Sequence, residues 1–337
     1  MRVSDSLASR IEEYLEGVLP AGPARPEIAL LHEMMREYPR RGGKKLRGQL
    51  LMLACGAHGG VLEDALPVAA ALELFQNWVL IHDDIEDGSE ERRGKPALHR
   101  QYGLPLALNA GDALHALMWA VLVKGRAALG AERGYAVLDE FVRLVKVTAE
   151  GQHLELFWIE RDHWDLDEED YFEMCRRKAA WYTVAAPLRL GAMVAGRPPH
   201  PEFESAGVDL GVAFQIRDDV LNLSAESGAY GKELAGDIRE AKRTLILIHL
   251  LANCTPPERD EIVERLGARR GARTEADVRR VLELISRYDS AGYAQARAGA
   301  LAESALARIE PALAALPGRE FSESIREILR SLSRRAS

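Results

Sequence analysis

Apolar residues recur at helical spacing along almost the whole chain, and the strict alternation typical of strands is almost absent. Leu7, Ile11 and Leu15 mark a first amphipathic helix, which proline and glycine within residues 20–23 bring to an end. The stretch 62–87 is apolar through most of its length and predicts one long buried helix. Further helices are predicted at about residues 26–37, 105–128, 134–160, 168–195, 202–224 and 241–252. The pattern predicts an all-α fold.

The chain of 337 residues shows no internal repeat, low-complexity tract or long flexible linker. Its composition changes after Leu266, where GARRGART leads into amphipathic helices rich in Ala, Glu and Arg. A domain boundary fits this change, but a loop before a peripheral set of helices explains it more economically. We therefore expect one helical domain over residues 1–337, with residues 266–337 as peripheral C-terminal helices.

Two acidic clusters end long apolar runs of the sequence. The first is Asp83-Asp84-Ile85-Glu86-Asp87, and the second is Asp218-Asp219-Val220-Leu221-Asn222. On a helix, positions i and i+4 share one face, and like charges at that spacing repel each other. Divalent cations reverse that cost, and Mg²⁺ binds a few carboxylates together with water and substrate phosphates. The clusters predict a clamp for a diphosphate held through Mg²⁺, at the inner ends of central helices of a bundle.

The first cluster has three other interpretations: a solvated loop, an EF-hand loop and part of a di-iron bundle. An isolated acidic run is usually a solvated loop. An EF-hand loop starting at Asp83 fails, because Ile85 and Gly94 occupy its third and twelfth ligand positions. A di-iron bundle needs Glu-x-x-His pairs, which neither cluster contains. The recurrence of the acidic pattern downstream favours the metal interpretation.

Basic residues follow the clusters at positions suited to phosphate. Arg92 and Arg93 come directly after the first cluster, and guanidinium groups make paired contacts to phosphate oxygens. Lys44 and Arg47 lie in a glycine-containing loop whose backbone can approach an anion closely. Neither this loop nor residues 228–233 has the spacing of a Walker loop.

Bulk composition narrows the class of protein. The net charge of −8 argues against a nucleic-acid partner. Three scattered cysteines argue against a disulfide framework or a zinc site. The N-terminus lacks the apolar core of a signal peptide, and we expect no stretch to be apolar for long enough to span a bilayer. A cytoplasmic protein is expected.

Five ordered motifs carry a family resemblance from about Gly42 to about Leu251. They are GGKKLRG, ELFQNWVLIHDDIEDGSEERRGKPALH, NAGDALHA, EGQ, and GVAFQIRDDVLNL followed by YGKELAGDIREAKRT. In these motifs the chain resembles the trans-isoprenyl diphosphate synthases, or polyprenyl synthases, and most resembles geranylgeranyl diphosphate synthases. Because a terpene cyclase has no need of GGKKLRG or of a second aspartate-rich motif followed by lysines, the resemblance favours a synthase.

The resemblance implies antiparallel helices around a deep central cavity, usually in a homodimer. It implies two or three Mg²⁺ ions, with Mn²⁺ as a substitute, and an allylic substrate (dimethylallyl, geranyl or farnesyl diphosphate) together with isopentenyl diphosphate. The implied metal ligands are Asp83, Asp84, Asp87, Asp218 and Asp219, with Asn222 as a weaker candidate. The implied contacts to the allylic diphosphate are Arg92, Lys178, Lys232 and Lys242, and those to isopentenyl diphosphate are Lys44, Arg47, Gln76 and Arg93.

The implied reaction is ionisation, condensation and elimination. The allylic C–O bond breaks, the double bond of isopentenyl diphosphate attacks the carbocation, and proton loss restores an alkene one isoprene unit longer. Gln215 and the backbone around Lys178 are expected to offer oxygen dipoles to the cation. An apolar cavity is expected to exclude water.

Five residues depart from the family pattern, among them Gly48, which replaces Pro, and Ala241, which replaces Gly before Lys242. Asn222 stands where the second motif usually has a third Asp, although FQIRDDxxN also occurs in a geranylgeranyl-producing branch. Gln76 replaces a common His at the isopentenyl site, and Ala179 replaces a frequent Thr after Lys178. None of these changes removes a main metal or phosphate charge.

Product length is expected to depend on residues before the first Asp. Trp78 lies five positions before Asp83, roughly 7–8 Å along a helix, and small Val79 follows it. By resemblance, one bulky residue at this site predicts a C20 product, whereas a helix interface is the plain structural role for Trp78. The alternatives are a farnesyl (C15) or longer-chain synthase, and a catalytically silent subunit of a heteromeric synthase.

Overall fold

The computed structural model describes residues 3–21, 25–223, 235–267 and 273–334. Within these residues nearly all regular structure is helical. The α-helices are α1 (Val3–Val18), α2 (Pro26–Arg40), α3 (Leu46–Ala57), α4 (Leu62–Glu86), α5 (Leu98–Tyr102), α6 (Leu104–Glu160), α7 (Glu168–Cys175), α8 (Ala186–Val194), α9 (Pro201–Asn222), α10 (Gly236–Glu240), α11 (Leu245–Asn253), α12 (Pro256–Gly267), α13 (Glu275–Arg287), α14 (Ser290–Ala314) and α15 (Arg319–Arg334). The all-α prediction is confirmed.

One predicted helix break is confirmed, and one predicted helix start is wrong. The helices expected at 105–128 and 134–160 are the two parts of α6, which a kink at Gly130 separates, with a non-helical φ of 78° and ψ of 175°. The helix expected over 241–252 begins at Leu245, because the Thr244 hydroxyl accepts the backbone N–H of Leu247 and caps that end. Residues 236–240 form the separate short helix α10.

The helix predicted over 168–195 contains a π-helical segment, Arg176–Ala185, between α7 and α8. Two glycines let neighbouring helices approach this segment closely. A Cβ on Gly151 of α6 would lie 2.2 Å from the backbone nitrogen of Lys178, and one on Gly211 of α9 would lie 2.5 Å from the Cα of Ala180. The π segment is therefore fixed between the two central helices, with Lys178 in its first turn.

The core is formed by α3, α4, α6, α8 and α9 together with the π segment. Helix α4 packs along α6, α9 packs along the π segment, and α3 packs between α4 and α8. Leu50, Leu72, Phe75, Phe141 and Phe203 are fully buried where these helices meet. Close packing of large apolar side chains from several helices stabilises the bundle.

The C-terminal helices contribute to the same core. Helix α14 packs along α9 and α15 packs on α3. The stripe Ala294, Ala298, Ala302 and Ala305 is buried, because alanine allows the backbones of α14 and its neighbours to come close. Residues 290–334, expected at the periphery, are thus part of the core packing.

A two-residue antiparallel hairpin, β1 (Glu91–Arg92) and β2 (Lys95–Pro96), follows α4. Arg93 and Gly94 form its turn with positive φ values of 55° and 71°. The hairpin folds back on α4, so that Arg92 reaches the acidic end of that helix.

Helices α4 and α6 are each long and apolar enough to cross a membrane by length and composition, contrary to the sequence expectation. In α4 67% of the most apolar stretch is buried inside the bundle, and in α6 39% is buried. The core helix of a folded domain meets the same criterion, because its apolar residues face protein instead of lipid. Polar residues interrupt the apolar runs of both helices, so the criterion is met only as an average over 18 residues.

Candidate active site

The two acidic clusters lie at the C-terminal ends of α4 and α9 and share one cavity of about 180 Å³. A helix C-terminus carries partial negative charge, so both clusters occupy the less favourable end of their helices. Cations must therefore offset them. The predicted site residues that line the cavity are Arg47, Gln76, Val79, Asp83, Arg92, Lys178, Gln215, Asp218, Asp219 and Lys242.

Lysines from two other elements neutralise the first cluster. The Lys178 ammonium lies 3.2 Å from Asp83 Oδ1 and also pairs with Glu155. The Lys242 ammonium donates to Asp87 Oδ2 at 2.6 Å. Lys178 belongs to the π segment and Lys242 follows α10, so the fold brings together charges that are distant in sequence.

Burial and these ion pairs have opposite effects on the pKa of Asp87 and on the pKa of Lys178. Burial raises the pKa of Asp87 to about 7, although the Lys242 charge opposes this shift. Burial alone would lower the pKa of Lys178, but the Glu155 and Asp83 carboxylates raise it above the ordinary lysine value. Lys178 therefore stays protonated and can offer its charge to an anion in the cavity.

Asp84 is placed differently from its neighbours in the cluster. It is fully buried and does not line the cavity. Arg92 Nε donates to its two oxygens at 2.9 and 3.0 Å, and the Tyr38 hydroxyl donates to Oδ2 at 2.5 Å. In this structure Asp84 thus holds Arg92, and its predicted role as a metal ligand stays a prediction.

The second cluster is held by hydrogen bonds. Asp219 accepts from the Tyr171 hydroxyl at 2.8 Å and from Gln215 Nε2 at 2.8 Å. Burial raises the pKa of Asp219 to about 8, and repulsion from Asp237 adds to the shift. Asp218 and Asp237 also line the cavity, so this side of it is rich in carboxylate oxygens.

Asn222 has a structural partner. Its Oδ1 accepts the backbone N–H of Asp237 at 3.0 Å, and its carbonyl accepts the N–H of Ala235 at 2.9 Å. These bonds join the end of α9 to the start of α10. The amide therefore fixes the position of Asp237 beside Asp219, and the weaker prediction of Asn222 as a metal ligand stays untested.

A divalent cation fits the first cluster. Oxygens of Asp83, Asp87 and Glu155 can lie within 4.8 Å of one another, and hard carboxylate oxygens are the ligands that Mg²⁺ prefers. The sequence analysis missed Glu155. It lies three residues after Gln152 of the EGQ motif and one helical turn after Gly151, a spacing that signals a shared face.

Arg47 and Gln76 are prepared for an anion. Arg47 Nη2 donates to Thr183 Oγ1 at 2.9 Å, and its guanidinium lies 4.7 Å from the centre of the Tyr182 ring. Arg47 Nε and Gln76 Oε1 are buried without a hydrogen-bond partner among the described residues. A diphosphate in the cavity would accept from Arg47 Nε, and the Gln76 amide could turn a donor towards it.

The remaining predicted residues lie around the cavity or outside the described chain. Lys44 is exposed, and Arg93 donates through Nη1 to the carbonyls of Tyr38 and Gly42. Trp78 does not line the cavity, whereas Val79 does. The Trp78 ring instead stacks on His115 of α6 with ring centres 4.0 Å apart. Lys232 lies outside the described residues.

Comparisons with known proteins agree with this site. Residues 28–285 match the family model described as polyprenyl synthetase. A geranylgeranyl diphosphate synthase from Sulfolobus acidocaldarius is 34% identical, over 81% of this chain and 80% of that one. A geranylfarnesyl diphosphate synthase from Aeropyrum pernix is 32% identical, over 86% and 88%.

A solved structure shares the whole fold. The geranylgeranyl pyrophosphate synthase from Corynebacterium glutamicum, complexed with isoprenyl diphosphate and magnesium, superposes with a TM-score of 0.84. It is 27% identical and covers 98% of each chain. The fold and the site define a trans-prenyltransferase. The chain belongs to the polyprenyl synthetase family. These comparisons give no support to a silent regulatory subunit.

Proposed function

We propose that the protein is a Mg²⁺-dependent geranylgeranyl diphosphate synthase that joins isopentenyl diphosphate to allylic diphosphates. The observation that carries this proposal is the shared cavity, in which Asp83 and Asp218 face Lys178 and Lys242. The names of the Sulfolobus acidocaldarius and Corynebacterium glutamicum relatives support the C20 product.

Charge in the cavity favours ionisation of the allylic substrate. Arg92, Lys178 and Lys242 present cationic groups to a diphosphate and stabilise the negative charge that develops as the C–O bond breaks. When bound to the carboxylates, Mg²⁺ supplies further positive charge for the diphosphate oxygens. The side chains are pre-organised by their ion pairs, so little reorganisation accompanies bond breaking.

The same cavity suits the two later steps. Arg47 and Gln76 line it and are suited to hold isopentenyl diphosphate with its double bond facing the allylic carbon. Val79, Leu80 and Phe214 line it with apolar atoms, which exclude water from the carbocation. The released diphosphate accepts the proton that is lost when the new alkene forms.

Product length is proposed to follow from the α4–α6 contact. Val79 on the cavity wall leaves room for the growing chain, while Trp78 packs against His115 and fills space between the two helices. The Aeropyrum pernix relative, named geranylfarnesyl diphosphate synthase, makes a longer product the second candidate.

We further propose a cytoplasmic homodimer. Helix α6 exposes apolar side chains that a soluble monomer would leave in water, among them Leu104, Leu106, Leu108 and Val123. A second copy of the chain could cover them in a two-fold symmetric dimer, in which both subunits use the same surface. Such dimers are the commonest soluble oligomers.

Asp83→Asn provides the direct test of the proposed metal site. With isopentenyl diphosphate and geranyl diphosphate, the variant is expected to lose prenyl transfer by roughly 100-fold or more, because one metal ligand and one partner of Lys178 are changed. EDTA is expected to abolish the wild-type activity. Asp112→Asn, on the exposed side of α6, is the matched control and should keep activity. Full activity of Asp83→Asn in excess Mg²⁺ would contradict the proposal.

A further inference from the structure

Tyr38, in the last turn of α2, contacts the acidic end of α4 from outside the cavity. Its side chain is 1% exposed. The hydroxyl donates to Asp84 Oδ2 at 2.5 Å and accepts the backbone N–H of Leu98 at 3.1 Å. One hydroxyl thus joins α2, α4 and α5 through two buried hydrogen bonds.

Asp84 connects this hydroxyl to the cavity. The same carboxylate that accepts from Tyr38 also accepts from Arg92 Nε at 2.9 and 3.0 Å. Asp84 lies behind the cavity and Arg92 lines it. By donating to Oδ2, Tyr38 restrains the Asp84 carboxylate that in turn orients the Arg92 guanidinium.

The backbone of Tyr38 reaches the other arginine. Arg93 Nη1 donates to the Tyr38 carbonyl at 3.3 Å and also to the carbonyl of Gly42. Gly42 begins the loop that carries Lys44 and leads to Arg47. Tyr38 is therefore connected to both arginines of the hairpin, to Arg92 indirectly through its hydroxyl and Asp84, and to Arg93 directly through its backbone carbonyl.

We propose that Tyr38 is a positioning residue that aligns Arg92 and Arg93, and thereby the two diphosphates, with each other. This inference rests on the proposed function, in which Arg92 binds the allylic diphosphate and Arg93 binds isopentenyl diphosphate. The geometry separates the two roles, because a phenylalanine keeps the carbonyl that holds Arg93 and removes only the hydroxyl that holds Arg92 through Asp84.

Tyr38→Phe is the variant that tests this separation, with Tyr102→Phe on α5 as a matched control. Tyr38→Phe is expected to raise the KM for geranyl diphosphate roughly tenfold, since it removes a hydrogen bond to a charged group. The KM for isopentenyl diphosphate should stay unchanged, because the contact to Arg93 remains. Tyr102→Phe should change neither constant.

Binding without turnover gives a second readout. Calorimetric titration with inorganic diphosphate and Mg²⁺ should show roughly tenfold weaker binding to Tyr38→Phe than to the wild type. This readout is independent of product formation. If the wild type binds the diphosphate but makes no prenyl product, the proposed function fails, while the titration still tests the role of Tyr38.

A general loosening of the fold gives a different result. It would raise both KM values together and lower the melting temperature, and that outcome overturns the proposal, as does a Tyr38→Phe enzyme with unchanged constants. If Tyr38→Phe does not fold, Asp84→Asn carries the test, since it weakens the same link from the Arg92 side. Because Asp84 is also a predicted metal ligand, the variant is assayed in saturating Mg²⁺, and a raised Mg²⁺ requirement would overturn the inference. The variant must then raise the allylic KM alone, and equal rises in both constants would overturn the inference.

Discussion

Glu155 brings a third negative charge into a buried site that already contains Asp83 and Asp87. Like charges at this distance repel, and only a cation shared among them makes the arrangement favourable. Lys178 provides part of that compensation by pairing with Glu155 and Asp83. Glu155 therefore has two roles. It helps to keep Lys178 protonated, and it adds a carboxylate to the oxygen-rich surface for a metal ion.

Replacing Glu155 by Gln tests this dual role. The neutral amide is expected to raise the Mg²⁺ concentration needed for half-maximal prenyl transfer by roughly 10–100-fold, as measured by a metal titration. Glu160→Gln, at the exposed end of α6, is the control and should behave as the wild type. An unaltered Mg²⁺ requirement in Glu155→Gln would remove Glu155 from the site.

Val79 and Trp78 make separate predictions about chain length. Val79 lines the cavity, so Val79→Phe should shorten the product towards C15. Trp78 fills space against His115, so Trp78→Ala should open room between α4 and α6 and lengthen the product. Chromatography of the dephosphorylated products measures both effects. If Trp78→Ala leaves the distribution unchanged, Trp78 has only the packing role.

At the scale of elements, the π segment depends on close approach by its neighbours. Gly151→Ala places a methyl group against the backbone of Lys178, and overpacking of this kind costs about 1–3 kcal/mol of the free energy of unfolding. Gly17→Ala in α1 meets no atom within 4 Å and is expected to be neutral or stabilising by up to about 1 kcal/mol. Urea unfolding measures both. Equal stability of the two variants would show that the contact at Gly151 is not tight.

A pH-dependent stabilising contact joins the start of α12 to the end of α13. Hydrogen bonds from Tyr288 and Thr255 lower the pKa of Glu258 from its ordinary value of 4.5 to about 2. The charged form stabilises the fold above the ordinary pKa, and this contribution is lost as the pH falls from 4.5 towards 2. Glu258→Gln should therefore lower the melting temperature at pH 7 and have little effect near pH 2. A loss of the same size at both pH values would contradict this account.

Most helices could be predicted from sequence because their apolar period is a local signal. The break in α6 could also be predicted, since Gly130 lies between the two expected helices. The π segment could not be predicted, because one extra residue per turn is too small a change to detect in ten residues. Its helical environment depends on Gly151 and Gly211, which lie on other elements.

In the site too, some roles could be predicted from the sequence and others could not. The two aspartate-rich motifs and their basic neighbours could be found from spacing and resemblance alone. The sequence could not show that Asp84 turns away from the cavity to Arg92 and Tyr38, or that Asn222 binds the backbone at Asp237. Those roles follow from contacts between different elements, which the spacing of residues along the chain does not show.

At the scale of the whole molecule, the exposed apolar side chains of α6 favour association. Light scattering is expected to give twice the mass of one chain. Replacing both Leu106 and Val123 by Lys should shift the protein towards the monomer, because it places charge where exposed apolar side chains stand. Lys124→Ala, a neighbouring exposed position, is the control. A monomeric wild type would contradict the proposed homodimer.

Sizing the products of the purified protein is the decisive test of the proposed function. Labelled isopentenyl diphosphate is incubated with each allylic primer (C5, C10 and C15), with Mg²⁺ or with EDTA, and the dephosphorylated products are separated by chromatography. Elongation is expected to require Mg²⁺ and to stop at C20 from all three primers. A stop at C15 or beyond C20 would contradict the product assignment, and no elongation from any primer would contradict the proposed function itself.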